Sequence, residues 1–107
     1  MPTIYGQQSP DKRFEYRSAG PGTATDISTK TVYVQLVVLC NTSGGALTVS
    51  IKDRASTPIE FTTAKSVGAN DTVVYGPFNP PMKMVDGINL NAPAGVDVQI
   101  YGLQEAV

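Results

Sequence analysis

The chain contains no histidine, no tryptophan and a single cysteine, Cys40. Without histidine it lacks the commonest general base and the commonest metal ligand. Ser–His nucleophilic pairs and histidine-held copper sites are therefore excluded. One cysteine forms neither an internal disulfide nor a cysteine-only zinc site, and an unpaired thiol agrees with a reducing compartment. Charge is also sparse: 16% of residues are charged, against roughly 25% in an average globular domain. The formal net charge of −1 gives no overall attraction to nucleic acid or to anionic membrane. The longest apolar run, Leu36-Val37-Val38-Leu39-Cys40, falls far short of the ~20 residues of a membrane helix. The start, Met1-Pro2-Thr3-Ile4-Tyr5-Gly6, has neither the basic residues nor the apolar core of a secretory leader, so synthesis in a cytoplasm is expected. Helix formers are few, with 5 Leu and 3 Glu, which argues against a helical bundle or coiled coil.

What is present reads as one β domain. The 107 residues suit a single domain, and a hydrophobic share of 41% is too high for a disordered tail. There are 12 Val, 6 Ile and 11 Thr, types that favour strands, and 10 Gly and 8 Pro to punctuate them. Thr31–Cys40 is almost continuously apolar, as a central strand partly covered on both faces would be. Asn41-Thr42-Ser43-Gly44-Gly45 is a turn signal, and Leu47, Val49 and Ile51 alternate with polar residues, so these two runs are expected to form a hairpin. Further short strands are expected at 59–63, 72–75, 82–85, 88–91 and 96–101, separated by Pro, Gly, Asn and Asp; Ala64–Val67 offers a single helical turn at most. Seven to eight short strands with turns every 8–12 residues predict an all-β sandwich, jelly-roll-like or Ig-like, over residues 27–107.

Residues 1–26 lack this pattern and are read as an extended N-terminal arm. Within it, Phe14 and Tyr16 alternate with Arg13, Glu15 and Arg17, the period of an isolated strand. Such a segment is either a poorly ordered terminus or an arm that docks on another subunit; two aromatics in so short a polar stretch fit docking, so Arg13, Phe14, Tyr16 and Arg17 are the candidate contact residues. Removing residues 2–17 is then expected to weaken attachment and leave the domain folded.

Chemistry-bearing motifs are not apparent. Asp53, Asp71 and Asp86 sit at strand ends or turns, where Asp caps its own backbone, and Asp97 lies on the polar face of a strand. No Gly-x-Ser-x-Gly elbow, phosphate loop or spaced-Asp calcium loop occurs. The chain is accordingly expected to be no enzyme, to need no cofactor or metal, and to engage neither nucleic acid nor membrane directly. Met82 and Met84 read as core or interface filler. Tyr33, Tyr75 and Tyr101 are possible platforms for a sugar, which leaves a glycan- or receptor-binding module as the alternative reading.

From Leu36 to Gly102, the run of strand, Asn41-Thr42 turn, Leu47-x-Val49-x-Ile51-x-Asp53, Gly68–Thr72 turn, Pro77-Phe78, Asp86-Gly87-Ile88 and Val96-x-Val98-x-Ile100-Tyr101 resembles small all-β virion proteins of tailed bacteriophages, especially head decoration (cement) proteins. The resemblance implies a structural protein on the capsid surface, partnered by the major capsid protein and by copies of itself, with a homotrimer favoured. It also implies a role for an extended terminal arm in reaching the capsid lattice.

Overall fold

The computed structural model describes residues 12–105, so the first 11 positions of the expected arm lie outside the described residues. Nine strands and no helix are present among them: β1 (Lys12–Ala19), β2 (Thr25–Ser28), β3 (Val32–Asn41), β4 (Leu47–Asp53), β5 (Glu60–Val67), β6 (Thr72–Tyr75), β7 (Met82–Met84), β8 (Ile88–Asn91) and β9 (Val96–Gln104). They form two antiparallel sheets. The first has the order β1-β9-β3-β6, with β7 also paired to β3, and the second the order β2-β8-β4-β5.

The pairs nest one inside another: β4 with β5, β3 with β6 and β7, β2 with β8, and β1 with β9. A long hairpin rolled up so that its two arms alternate between sheets gives this arrangement, which is a jelly-roll sandwich. Strands β6 and β7 share one edge position, since both run antiparallel to β3 and are separated only by Gly76–Pro81. The prolines of that excursion donate no ladder hydrogen bond, so the strand breaks there.

Alternation drives the sandwich. Val32, Val34, Val37 and Leu39 of β3, Val96, Val98 and Ile100 of β9, Val49 and Ile51 of β4, and Ile88 and Leu90 of β8 are buried between the sheets. Each fully buried aliphatic side chain of this kind is worth roughly 1.5–3 kcal/mol relative to exposure. Phe61, Tyr75 and Phe78 close the flank between β5 and β6 edge-to-face, with centroid separations of 5.0 Å (Phe61–Tyr75) and 5.9 Å (Phe61–Phe78).

Three local expectations change. Thr31–Cys40 and Leu47–Lys52 do not pair as a hairpin: β3 lies in the first sheet and β4 in the second. Both strands bury a face against the same core, so the intervening turn spans the ~10 Å between stacked sheets. Asn41 fastens that crossing, since its amide donates to the carbonyls of Gly45 (2.8 Å) and Val67 (2.9 Å) and its Oδ1 accepts from the Ser43 N–H (2.8 Å). Ala64–Val67 forms no helical turn; it continues β5 past a break at Ala64, whose φ is 48°.

The third change concerns residues 12–26. Lys12–Ala19 is a full strand of the first sheet, in unbroken register with β9 from Lys12 opposite Gln104 to Ala19 opposite Asp97. The expected division at residue 26 falls inside β2. The alternation of Phe14 and Tyr16 turns these side chains inward on their own chain: Phe14 is 8% exposed and belongs to the core, and Tyr16 packs against that core.

Candidate interaction surface

Two sheets leave two outer faces, and they differ in chemistry. On the first sheet, register places the outward residues in cross-strand rows. Lys83, Tyr33, Leu103 and Arg13 form one row, and Val74, Val38, Gln99 and Arg17 another. Between them lie Leu36, Tyr101 and Glu15, and beyond them Thr72, Cys40, Asp97 and Ala19. A register shift between Val34 and Leu36 turns Gln35 and Leu36 out of strict alternation, which brings Leu36 to this face. Gly102 permits the close approach there, because a Cβ would overlap the Tyr33 carbonyl.

The result is a band of apolar and aromatic side chains across the middle of an outer sheet face. Val74 is 56% exposed and Leu103 38%, while Tyr33, Leu36, Val38, Cys40 and Tyr101 are half-buried among one another. The Tyr101 hydroxyl donates to Gln99 Oε1 at 2.6 Å, leaving the ring as apolar surface. Scattered exposed hydrophobics need no explanation, but a contiguous band on one face is the sort of patch that partners cover.

Along one margin of this band runs β1. Its Arg13 and Arg17 side chains are 76% and 64% exposed and lie 3.0 Å and 3.6 Å from opposite oxygens of Glu15. Exposed pairs of this kind contribute about 0–1 kcal/mol, so they are poor stabilisers, and the arginines remain available to a partner. A recess of about 440 Å³ follows the same margin, lined by Arg17, Ser18 and Ala19 of β1 and Asp97, Val98 and Gln99 of β9.

The second sheet's outer face is polar. Asp26 accepts from Asn89 Nδ2 at 2.8 Å and pairs with Arg54 Nε at 3.1 Å, and Arg54 also donates to the Asp86 carbonyl at 2.9 Å. Beside this network is a recess of about 220 Å³ lined by Ala24, Ser50, Lys52, Glu60, Asn89 and Asn91. It contains no aromatic side chain.

Of the four candidate contact residues, Arg13 and Arg17 stand together on the outer margin, while Phe14 and Tyr16 are committed to the interior of the same chain. Tyr33 and Tyr101 share an outer face with the apolar band, whereas Tyr75 packs edge-to-face on Phe61. Tyr33 and Tyr101 thus lie on the opposite face of the sandwich from the amides of Asn89 and Asn91. Asp53 is buried and accepts from the N–H groups of Ala55, Ile59 and Val85, holding the β4–β5 loop to the end of β7. Among the described residues no three His, Cys, Asp or Glu side chains are grouped to hold a metal ion, and no helix is long and apolar enough to cross a membrane.

The apolar band is not among the sequence expectations. Its signal was the appearance of Tyr101 and Leu103 at the outward positions of an otherwise alternating strand. Neither a protein-family model nor a curated protein matches the chain.

Proposed function

We propose that the chain is a structural virion protein, a decoration (cement) protein that binds the outer surface of a tailed-phage head and stabilises the shell. The observation that carries this reading is the apolar band of the first sheet, flanked by Arg13 and Arg17. A band of this kind on a sparsely charged chain suits a face covered by other subunits, because charged groups are depleted at interface centres and arginine and tyrosine are enriched. Jelly rolls recur in viral capsid and lectin domains, which raises the prior by analogy of fold alone. In this reading the major capsid protein meets the apolar band and the Arg13–Arg17 margin. Copies of the chain associate as a trimer on the virion surface after synthesis in the host cytoplasm. No catalysis or cofactor is involved.

Co-sedimentation of the purified protein with heads of the phage that encodes it tests the proposal. The wild-type chain is expected to pellet with heads. Val74→Asp and Leu103→Asp, both at exposed positions, are expected to remain folded and to lose at least tenfold in apparent affinity. Retention of full binding by both variants would remove the band from the mechanism, and no pelleting of the wild-type chain would remove the function.

A second reading, a glycan- or receptor-binding module, is favoured by one observation: the recess beside Ser50, Lys52, Asn89 and Asn91 offers hydroxyl, ammonium and amide groups to a polar ligand. A glycan array decides it, since reproducible hits lost in Asn91→Ala would support it and an empty array would not.

A further inference from the structure

The two sheets have four edges, and three of them carry features that block the addition of another strand. The β6–β7 edge is interrupted by Gly76–Pro81, with Pro77, Pro80 and Pro81 inside the interruption. The β5 edge shifts register twice against β4 and turns through Ala64 at φ 48°. The β2 edge has only four residues and a register shift of its own between Asp26 and Ser28. Short strands, bulges and prolines are the usual means by which sheet edges avoid further pairing.

The β1 edge has none of these. Its eight residues contain neither Pro nor Gly, and all of them pair with β9 without a register shift. Among the described residues no strand pairs with its other side, which is thus a template for one more strand. Its protection is charge instead, Lys12, Arg13 and Arg17 against Glu15 alone, which deters indiscriminate pairing. Lys12, Arg13, Glu15 and Arg17 are all exposed, and Arg13, Glu15 and Arg17 share the outer face.

That charge pattern selects the occupant. A second copy pairing antiparallel about Glu15 would set Glu15 against itself and Arg13 against Arg17. Registers centred on Phe14 or Tyr16 do set Glu15 opposite an arginine of the other copy, but they still bring three cations of β1 from each copy to the seam against one carboxylate from each, so a net repulsion remains. Like charges directly opposite one another across strands are destabilising, and opposite charges stabilise.

We infer that the β1 edge is a strand-addition site for an extended acidic segment of another protein, with carboxylates four residues apart facing Arg13 and Arg17. Main-chain hydrogen bonds supply the adhesion, and the two arginines set the specificity and register. Glu15 disfavours a third carboxylate midway, so the preferred segment is acidic, neutral or basic, then acidic on one face. The inference goes beyond the capsid reading, because it assigns a partner chemistry to an edge whichever assembly the protein joins, and its test uses no capsid.

The probe is a nine-residue acetylated peptide of alternating Val and Thr with Glu at its third and seventh positions. A control carries Lys there, and a second control has alternate backbone nitrogens methylated. Binding to the full chain is read by fluorescence anisotropy and by amide shifts in NMR. The Glu peptide is expected to bind saturably, with shifts concentrated at Lys12–Ala19. The Lys and methylated peptides are expected to bind at least tenfold more weakly. The double variant R13E/R17E, altered only at exposed positions, is expected to keep the wild-type melting temperature, to lose about tenfold for the Glu peptide and to gain the Lys peptide. That is the scale of two cross-strand charge pairs reversed in sign. Equal binding of Glu and Lys peptides, shifts centred on Tyr33 and Val38, or no binding of the Glu peptide would overturn the inference. Self-association of the free protein that the peptide displaces would assign the edge to a second copy and overturn it equally.

Discussion

Substituting Phe14 by alanine distinguishes a strand built into the sandwich from an arm laid outside it. Phe14 is 8% exposed, sits in the core, and stands opposite Gly102 in the β1–β9 register. A buried aromatic side chain removes roughly 150–250 Å² from water, which at about 25 cal/mol per Å² gives an upper value near 4–6 kcal/mol. Phe→Ala changes in cores cost about 3–5 kcal/mol, and because β1 is an edge strand that can relax, the expected loss is about 3 kcal/mol. For a domain of this size each kcal/mol lowers Tm by roughly 4–8 °C, so Tm should fall by about 12–24 °C. The assay is urea unfolding followed by circular dichroism, with Arg13→Ala and Arg17→Ala beside it. The two arginine variants should lie within about 0.5 kcal/mol of wild type, as exposed positions do. A Phe14→Ala loss below 1 kcal/mol would refute the reasoning, because it would mean that Lys12–Ala19 is energetically separate from the core. The same logic reverses the expectation for removal of residues 2–17: taking away most of β1 uncovers one side of β9 and should prevent cooperative folding rather than merely weaken attachment.

Three further perturbations follow from single contacts. Asn41→Asp replaces an amide that donates to the Gly45 and Val67 carbonyls with a carboxylate that faces them, and should cost about 3 kcal/mol in chemical unfolding. Asp53→Ala removes the acceptor for three backbone N–H groups in the β4–β5 loop and near β7; a loss of about 2–4 kcal/mol is expected, with amide exchange faster at Ala55, Ile59 and Val85. Gly102→Ala drives a methyl group into the Tyr33 carbonyl where β9 passes the β3 bulge, and should lower Tm by more than Phe14→Ala does or abolish folding, as read by a thermal melt.

Much of the strand pattern is legible because burial on one face forces a period of two. Val96, Val98 and Ile100 announce β9, and Leu47, Val49 and Ile51 announce β4, from their spacing alone. Pairing is less legible, because register between distant strands is set by three-dimensional packing. Phe14 and Tyr16 give the correct period for β1, but nothing near them in sequence says that their partner is the last strand, so they read as an arm. The Asn41–Gly45 signal likewise marks a turn without saying whether it reverses the chain within a sheet or carries it to the other one. The surface followed the same rule. Arg13 and Arg17 are recognisable as outward from their alternation with Phe14 and Tyr16. In β3 both faces are apolar, and only the Val34–Leu36 register shift decides which of Leu36, Val37 and Val38 joins the outer band.

If the proposed head-decoration role holds, cryo-electron microscopy of mature particles of the encoding phage finds the chain on the head. The expected result is jelly-roll density on the outside of the head with the first sheet's outer face, including Leu36, Val38 and Val74, turned toward the capsid lattice and withdrawn from solvent. Density for this fold confined to a tail or fibre, or a head-bound copy with that face open to solvent, would contradict it.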